Sequence, residues 1–478
     1  MTGAETIRRI AAAARSGPWP ADAIVAATTH VLDTVGVAIA GARTDHAGAV
    51  RRVVQAVGGR GRATVIAGRR TTDPVSAACA NAVAAHSIDL DDGHLWIHPG
   101  AVVVPAAFAC AESEGASGAA FIGAVVGGYA VAVWLSQLAG RAHRERGYHP
   151  TGTCNTVAAA VAAGLALALS DAQIVDAAHL ACTQAAGLAQ YRADGAPTKH
   201  LHAGLAARNG VHAALLAREG LRGARDSVDG RFGFLATLGG EGGQQRSDLA
   251  DRPWLALLEC YIKPYPACRQ AHGAIDAALA IRGATSVNPE RVAAVEVETY
   301  EYAFQEWLVT TEPRDSALAA QLNIPFCVAS ALLDNALTLE SFAAPARERP
   351  TVRALARRVR VSANAAFTSH HPAMMQSRVT VRFQDDTARS TQVRWPSGSP
   401  QNPIAPDALT AKFLGLLGGD ADRLHARRFI DMVRGVDRAA RVTAVGRWLR
   451  RWTSPGSTAR TAGPIADPVR AGTARGAS

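Results

Sequence analysis

Lysine is scarce in this chain: only Lys199, Lys263 and Lys412 occur, and the other 47 basic residues are arginine. Arginine stays charged and forked, whereas lysine is a compact point charge that can lose its proton when it is desolvated. A chain with this bias keeps a lysine where arginine cannot replace it, unless the three simply remain at tolerant surface positions. Lys199 and Lys263 stand beside other reactive side chains, so we expect both to be site residues. For Lys412 the two alternatives stay open.

Several familiar sequence signatures are also missing. The seven cysteines are dispersed without a CxxC pair, which argues for a reducing compartment and against structural zinc. The first 20 residues carry charges and no long apolar run, so we expect no signal peptide and a cytoplasmic protein. The chain has no Rossmann fingerprint, Walker motif or GxSxG sequence. We therefore expect chemistry without a cofactor.

Two further classes of protein are disfavoured. The net charge is +10, but much of the basic excess follows Arg423, and the rest of the chain lacks a basic patch with interleaved aromatics. We therefore expect no nucleic-acid partner. The positive net charge would suit an anionic substrate. The most apolar segment, residues 119–139, is rich in Gly and Ala and contains Ser136 and Gln137. We interpret it as a buried helix and expect no membrane partner.

The length and the residue patterns indicate two domains. A chain of 478 residues exceeds what one hydrophobic core usually supports. Residues 5 to about 220 read as successive Ala-rich helices, whereas alternating, strand-like patterns begin only after about residue 265. We therefore expect a mainly α protein with a smaller α+β domain. The expected strands and C-terminal helices are Arg291–Tyr302, Val359–Ser362, a hairpin over Arg378–Arg394, Pro406–Gly418 and Asp420–Trp452.

Three carboxylates and three imidazoles lie in residues 86–100, between two predicted helices. A connection of this kind is where a scaffold usually presents functional groups. Metal binding is one interpretation, although no HExxH-type spacing is present. Acid–base catalysis is a second, because an aspartate can orient a histidine or hold it charged. A capping segment with solvated charges is the third.

Three further loops carry histidine or lysine. Residues 147–155 contain His149 and precede a helix predicted from Thr156; the hydroxyls there, Thr151 among them, can cap the helix, and its backbone N–H groups favour an anion. A histidine before proline can equally be structural. The other two loops are residues 194–202 and 263–272.

Together these loops indicate proton-transfer chemistry on a small polycarboxylate. A pocket lined by Lys199, Lys263 and Arg269 would bind carboxylates and stabilise an enolate-like charge. Asp89, His98 and His149 would be placed to move protons.

The ordered set of motifs resembles the MmgE/PrpD family over residues 5 to 450. The matching segments include Leu32-Asp33-Thr34, His86-x-x-Asp89-x-Asp91-Asp92, His98-Pro99-Gly100, Tyr148-His149-Pro150-Thr151, Lys199-x-Leu201-His202, Lys263-Pro264-Tyr265-Pro266-x-Cys268-Arg269 and Lys412-Phe413. All three lysines fall on family positions.

The resemblance implies an all-helical domain built from both ends of the chain, residues 1–265 and 399–453, with an α+β lid inserted at residues 266–398. A disordered tail would occupy residues 454–478. The resemblance also implies a homodimer. Known members include 2-methylcitrate dehydratase, cis-aconitate decarboxylase and iminodisuccinate epimerase, which work next to a carboxylate without a metal or organic cofactor.

By position, the resemblance implies a catalytic set of Asp89, His98, His149, Lys199 and Lys263. Substrate contacts are expected from Cys268, Arg269, His202 and Thr151. A family tyrosine has two candidates here, Tyr300 and Tyr302.

Two departures from the family bear on the reaction. The family commonly has Asp-Asp-Thr where this chain has Asp91-Asp92-Gly93, and Cys268 replaces a histidine of the decarboxylase. The first expectation is a 2-methylcitrate-type dehydratase. A decarboxylase or epimerase on a related acid is the alternative, and a non-catalytic carboxylate-binding relative is an alternative of another class.

Overall fold

The computed structural model of the chain describes residues 1–240, 243–313, 315–418 and 423–452, with residues 451 and 452 described by their backbone alone. The described residues form two compact units. The first comprises Met1–Ala189, Thr198–Cys260 and the described chain from Lys412 onward, and the second comprises Gln190–Pro197 and Tyr261–Ala411. Over the described residues, the protein is mainly helical with one small sheet, as predicted. The predicted tail lies outside the described residues, and the predicted domain limits, with the inserted lid, stay predictions.

Long helices make up most of the first unit. In chain order they are Gly3–Arg15 (α1), Ala21–Gly41 (α2), Asp45–Val57 (α3), Pro74–His86 (α4), Gly100–Glu114 (α5), Gly118–Glu145 (α6), Pro150–Ala166 (α7), Asp171–Cys182 (α8) and Thr198–Arg218 (α9), with short helices at Phe234–Thr237 and Leu255–Leu258.

Small residues let these helices approach each other closely. A Cβ on Gly128 of α6 would lie 2.5 Å from Val103 Cγ1 of α5 and 2.9 Å from Ala162 Cβ of α7. Ala and Gly at such contacts allow a dense core without large side chains, which accounts for the low aromatic content.

Two helices among the described residues, α2 and α6, are long and apolar enough to cross a membrane by length and composition. The buried share of their apolar windows is 78% and 89%, respectively. Core helices have the same properties, and the burial of α6 agrees with our interpretation of residues 119–139. The helix continues beyond the predicted end at Ala139, but Gly140 interrupts it with φ 69°.

The second unit contains the sheet. Its elements are the helices His272–Ala284 (α10) and Ile324–Asp334 (α11), the strands Val292–Thr299 (β1), Val359–Ala363 (β2), Ser377–Phe383 (β3) and Ala388–Val393 (β4), and short helices at Tyr191–Asp194, Glu306–Val309, Ala317–Gln321, Ala344–Arg347, Pro350–Ala356 and Ala365–His370.

The sheet order is β2-β1-β3-β4, with β1 and β2 parallel and the other pairs antiparallel. Valines alternate along β1, and Val295 pairs with Val359 on one side and Val381 on the other. This alternation places one face of the strand in the core. The predicted hairpin is confirmed, with β3 and β4 joined by residues 384–387.

Three helices close the described chain: Pro406–Leu417 (α12), Arg423–Arg434 (α13) and Thr443–Trp452 (α14). The prediction of one helix from Asp420 to Trp452 is therefore wrong over residues 435–442. Gly435 leaves the helical region (φ −107°, ψ 15°), and a short 3₁₀ turn at Val436–Arg438 follows. Because the amphipathic pattern continues across this break, helical periodicity alone does not reveal the break.

Candidate active site

The connection between α4 and α5, residues 87–99, is tightly wound and mostly buried. Asp89 and Leu95 have left-handed backbone angles, with φ 51° and 47°. His94 and Ile97 exchange two backbone hydrogen bonds of 3.0 Å. A positive φ is unfavourable in free energy for a residue other than glycine. Residues with this conformation concentrate at functional sites. Because the loop is mostly buried, it is not the capping segment with solvated charges that was the third interpretation of the sequence.

Asp89 forms a buried ion pair with Lys199. The distance from Lys199 Nζ to Asp89 Oδ1 is 2.6 Å, and both residues are almost fully buried. Lys199 lies in the first turn of α9, which packs on α4. A Cβ on Gly204 would lie 2.4 Å from Val83 Cγ2 of α4, so glycine there permits the approach that brings the lysine to the loop.

His98 is held by its own loop and by α7. Its Nδ1 lies 2.7 Å from the Asp92 carbonyl oxygen and 3.3 Å from Asp91 Oδ2. Its backbone N–H donates to Thr151 Oγ1 at 3.2 Å, and Asn155 Nδ2 donates to its carbonyl at 3.0 Å. The imidazole is 13% exposed, which leaves part of the ring accessible.

His149 precedes α7, which begins at Pro150 and not at the predicted Thr156. Proline is favoured at the first helical position, because its missing N–H would be unpaired there. The predicted substrate contact Thr151 therefore lies in the first turn of α7, where its hydroxyl accepts the hydrogen bond from His98.

His149 is paired with a second imidazole. Its Nδ1 lies 3.0 Å from His202 Nδ1, so one of the two nitrogens carries a hydrogen and the other accepts it. Burial lowers the pKa of His202, and the charge of Lys199 lowers it further. The backbone N–H of His149 donates to the carbonyl of Gly187, whose φ of 148° favours glycine. Gly187 follows α8, which ends at Cys182.

His86, which has no role in the sequence-based prediction, lies among three imidazoles of the site. Its ring centroid is 5.0 Å from that of His98, 5.9 Å from His149 and 5.8 Å from His200. Its Nδ1 lies 2.7 Å from Asp91 Oδ2. His86 and Asp91 lie in the same run of carboxylates and imidazoles as Asp89. The density of that run is the signal by which the sequence could have identified both residues.

Three side chains of this site, those of His86, Asp91 and His98, form the one group among the described residues that could hold a metal. The donor atoms of His86, Asp91 and His98 lie within 4.8 Å of one another. Two imidazoles and a carboxylate suit zinc and similar ions. The contacts in this structure are those of an imidazole–carboxylate array, in which Asp91 Oδ2 lies beside both His86 and His98.

The first unit thus brings together six predicted residues: Asp89, His98, His149, Thr151, Lys199 and His202. The other three, Lys263, Cys268 and Arg269, lie in the second unit. Lys263 is fully buried, and Cys268 Sγ lies 2.7 Å from Gln270 Oε1.

Arg269 has several partners within its own unit. It donates to the carbonyl of Ser397 at 2.8 Å and to that of Pro396 at 3.2 Å, and its guanidinium lies 4.5 Å from the centre of the Tyr261 ring. These contacts hold the side chain as part of the unit's internal structure. The site roles of Lys263, Cys268 and Arg269 stay predictions.

Comparison with known proteins defines the class. The MmgE/PrpD N-terminal domain matches residues 5–246 and the MmgE/PrpD C-terminal domain matches residues 265–438. The chain belongs to the MmgE/PrpD family, as its motifs predicted.

Three relatives are named as cis-aconitate decarboxylases or as a protein like them. The chain is 26% identical to the cis-aconitate decarboxylase of Aspergillus terreus over 445 residues, which cover 88% of this chain and 90% of that protein. It is 25% identical to the cis-aconitate decarboxylase-like protein oryM of Aspergillus oryzae over 89% of this chain and 92% of that protein. The mouse cis-aconitate decarboxylase is 28% identical over 60% of each chain.

Proposed function

We propose that this protein is a lyase that acts next to a carboxylate of a small di- or tricarboxylic acid, with decarboxylation of cis-aconitate as its first candidate reaction. The observation that carries the proposal is the convergence of His98 and His149, two differently held imidazoles, with the buried Lys199–Asp89 pair. The names of the relatives favour decarboxylation over the dehydration that the sequence placed first.

Decarboxylation of cis-aconitate needs one proton and a place for negative charge. When the bond to the leaving carboxylate of the CH₂–COO⁻ arm breaks, its electron pair forms a new C=C bond, and the old C=C carbon takes a proton. His98 or His149 supplies that proton. General acid catalysis of this kind contributes about 10²- to 10⁴-fold.

Lys199 holds a carboxylate that remains on the substrate. An ammonium can donate up to three hydrogen bonds, so its contact with Asp89 is compatible with a substrate oxygen on the same nitrogen. Asp89 keeps the buried lysine charged and fixes its direction. Binding the substrate in one orientation aligns the reacting carbon with the imidazoles.

Dehydration of 2-methylcitrate is the second candidate, and the difference between the two histidines favours it. Dehydration needs a base for the α-proton and an acid for the leaving hydroxyl. His98 has a carboxylate 3.3 Å from Nδ1, whereas His149 is paired with an imidazole whose pKa is lowered. These surroundings suit an acid and a base, respectively. An epimerase would use the same two groups.

We also propose, on the family resemblance, a cytoplasmic homodimer whose partner is the small polycarboxylate substrate. The deciding experiment is proton NMR of the purified protein in deuterated water with cis-aconitate, 2-methylcitrate, citrate and iminodisuccinate in turn. We expect cis-aconitate to give itaconate with one deuterium on the newly protonated carbon. Loss of water from 2-methylcitrate, or α-deuteration alone, would move the reaction to dehydratase or epimerase.

A Lys199→Met variant serves as the matched control, because it keeps most of the length of the side chain and removes its charge. If the folded wild-type protein changed none of the four acids, the enzymatic proposal would be wrong. Shifts of substrate resonances without turnover would then identify a carboxylate-binding relative.

A further inference from the structure

Asp91 and Asp92 are neighbours in sequence and both are fully buried, but their carboxylates make separate sets of contacts. Asp91 Oδ2 lies 2.7 Å from His86 Nδ1 and 3.3 Å from His98 Nδ1. The Asp92 carboxylate contacts other groups, on three helices of the first unit. The proposed reaction assigns neither aspartate a role.

The carboxylate of Asp92 is fixed by α2, α5 and α6. Tyr129 donates its hydroxyl to Oδ2 at 2.6 Å, Gly100 donates its backbone N–H to Oδ1 at 2.9 Å, and His30 Nδ1 lies 2.6 Å from Oδ2. A Cβ on Gly100 would lie 2.6 Å from Asp92 Oδ1, so only glycine fits there. Burial raises the pKa of Tyr129 well above its usual value, and the charge of Asp92 adds to the effect, so the phenol remains a donor.

This anchoring fixes the main-chain carbonyl of Asp92, which faces His98. A carbonyl oxygen can only accept a hydrogen bond, so the nitrogen 2.7 Å from it, His98 Nδ1, must carry a hydrogen. In the neutral imidazole, Nε2 is then the atom that accepts or delivers the proton. A fixed tautomer of this kind decides which ring nitrogen works on the substrate.

Asp91 Oδ2 lies 3.3 Å from the same ring nitrogen. An ionised carboxylate only accepts hydrogen bonds, so this contact also suits a ring with hydrogen on Nδ1. From α4, His86 also faces His98, with 5.0 Å between ring centroids, and it shares the Asp91 oxygen. From α7, the uncharged Thr151 and Asn155 contact the main chain of His98.

We propose that Asp91 and Asp92 are positioning residues for His98 with separate tasks: Asp92 sets the tautomer through its anchored carbonyl, and Asp91 holds the orientation of the ring through its carboxylate. The catalytic meaning of this arrangement rests on the proposed function. The arrangement itself is a property of the free protein and is tested without substrate.

The first test is ¹⁵N NMR of the full-length protein with labelled histidine. The signals of His98 are identified by their loss in His98→Asn. We expect the neutral ring to have hydrogen on Nδ1 and none on Nε2, in the wild type and in Asp91→Asn alike. A neutral ring protonated on Nε2 would overturn the role of the Asp92 carbonyl.

The second test compares the melting temperatures of Asp91→Asn and Asp92→Asn. Asp92→Asn should show the larger drop, because two hydrogen bonds to its carboxylate and the close contact with His30 are disturbed. An equal or smaller drop in Asp92→Asn would contradict the anchoring of that carboxylate.

The third test is kinetic and links the arrangement to turnover. In Asp91→Asn we expect kcat to fall by about 10²-fold or more while KM stays within a few-fold. Folded Asp92→Asn should lose less than about tenfold in kcat. If the NMR results hold but kcat is unchanged in Asp91→Asn, the catalytic part of the inference is wrong, and His98 is not the working acid. If none of the four acids reacts, the NMR test and the melting temperatures still decide the positioning.

Discussion

Two buried lysine–aspartate pairs in the first unit have nearly the same geometry and different surroundings. Lys199 Nζ lies 2.6 Å from Asp89 Oδ1, and Lys412 Nζ lies 2.6 Å from Asp33 Oδ1. In both pairs the side chains are at most 4% exposed. By distance and burial alone, the two pairs cannot be told apart.

Their neighbours differ. Lys199 lies among imidazoles, and its charge contributes to the lowered pKa values of His200 and His202. Lys412 instead donates to the carbonyl of Leu90 at 3.0 Å and so ties α12 to the loop that carries the site. Buried ion pairs of equal geometry can thus serve chemistry or architecture, and the groups within reach of the pair decide which.

The largest expected difference between the pairs is in turnover. Lys199→Met should lower kcat/KM on the identified substrate by about 10³-fold, because the charge that holds the substrate carboxylate is lost. Lys412→Met should stay within a few-fold per folded molecule. Steady-state kinetics on folded fractions, checked by circular dichroism, measure both. Equal losses in the two variants would remove the distinction between the pairs.

The next effect is on stability. Removing one partner of a buried ion pair typically costs about 3–5 kcal/mol, because the other charge is left uncompensated. We expect a cost of this order for Lys412→Met in the free energy of unfolding, measured by urea denaturation. The double variant Lys412→Met, Asp33→Asn should recover most of the loss.

The corresponding double variant at the other pair, Lys199→Met with Asp89→Asn, makes the comparison sharper. It should recover stability in the same way but not turnover. Recovery of turnover there would assign Lys199 an architectural role like that of Lys412.

Much of the geometry of this candidate site is predictable from the sequence, because it depends on local patterns. The density of carboxylates and imidazoles in residues 86–100 marked the loop, and the scarcity of lysine marked Lys199. Alternation of valines marked β1 and the hairpin that follows. These signals depend on near neighbours in the chain, which a sequence displays directly.

The remaining features depend on packing between distant segments. Lys412 and Asp33 are 379 residues apart, and neither segment has a sequence pattern that identifies the other residue as its partner. The tasks of Asp91 and Asp92 depend on which helix each side chain meets, which adjacent sequence positions do not reveal. The break at Gly435 was missed because amphipathic spacing continues on both sides of it.

The pH dependence of stability gives an effect of about 3 kcal/mol. Burial raises the pKa of Asp33 from 3.8 to about 6, although Lys412 opposes the rise. The folded protein then holds a proton that the unfolded chain releases, so this stabilisation is present below about pH 4 and is lost as pH rises to 6. One unit corresponds to about 1.4 kcal/mol, which gives about 3 kcal/mol in total.

The measurement is the free energy of unfolding between pH 3.5 and 7, with the Lys412→Met, Asp33→Asn double variant as the reference without either group. The wild type should lose stability relative to this reference as pH rises. A difference that stays constant with pH, or one that grows, would contradict the raised pKa.

Replacement of the lysine by arginine should give the smallest effect. Lys412→Arg keeps the charge but must fit a wider, planar group into a buried space between Asp33 and the Leu90 carbonyl. Overpacking of this kind typically costs 1–3 kcal/mol, and we expect about 2 kcal/mol with turnover per folded molecule unchanged. Lys199→Arg should lower kcat in addition to stability, because the charge that binds the substrate carboxylate would be displaced. If Lys412→Arg unfolded at the wild-type urea concentration, arginine would be tolerated at 412. The survival of lysine there in a chain of 47 arginines would then need no structural reason, whereas its survival at 199 still would.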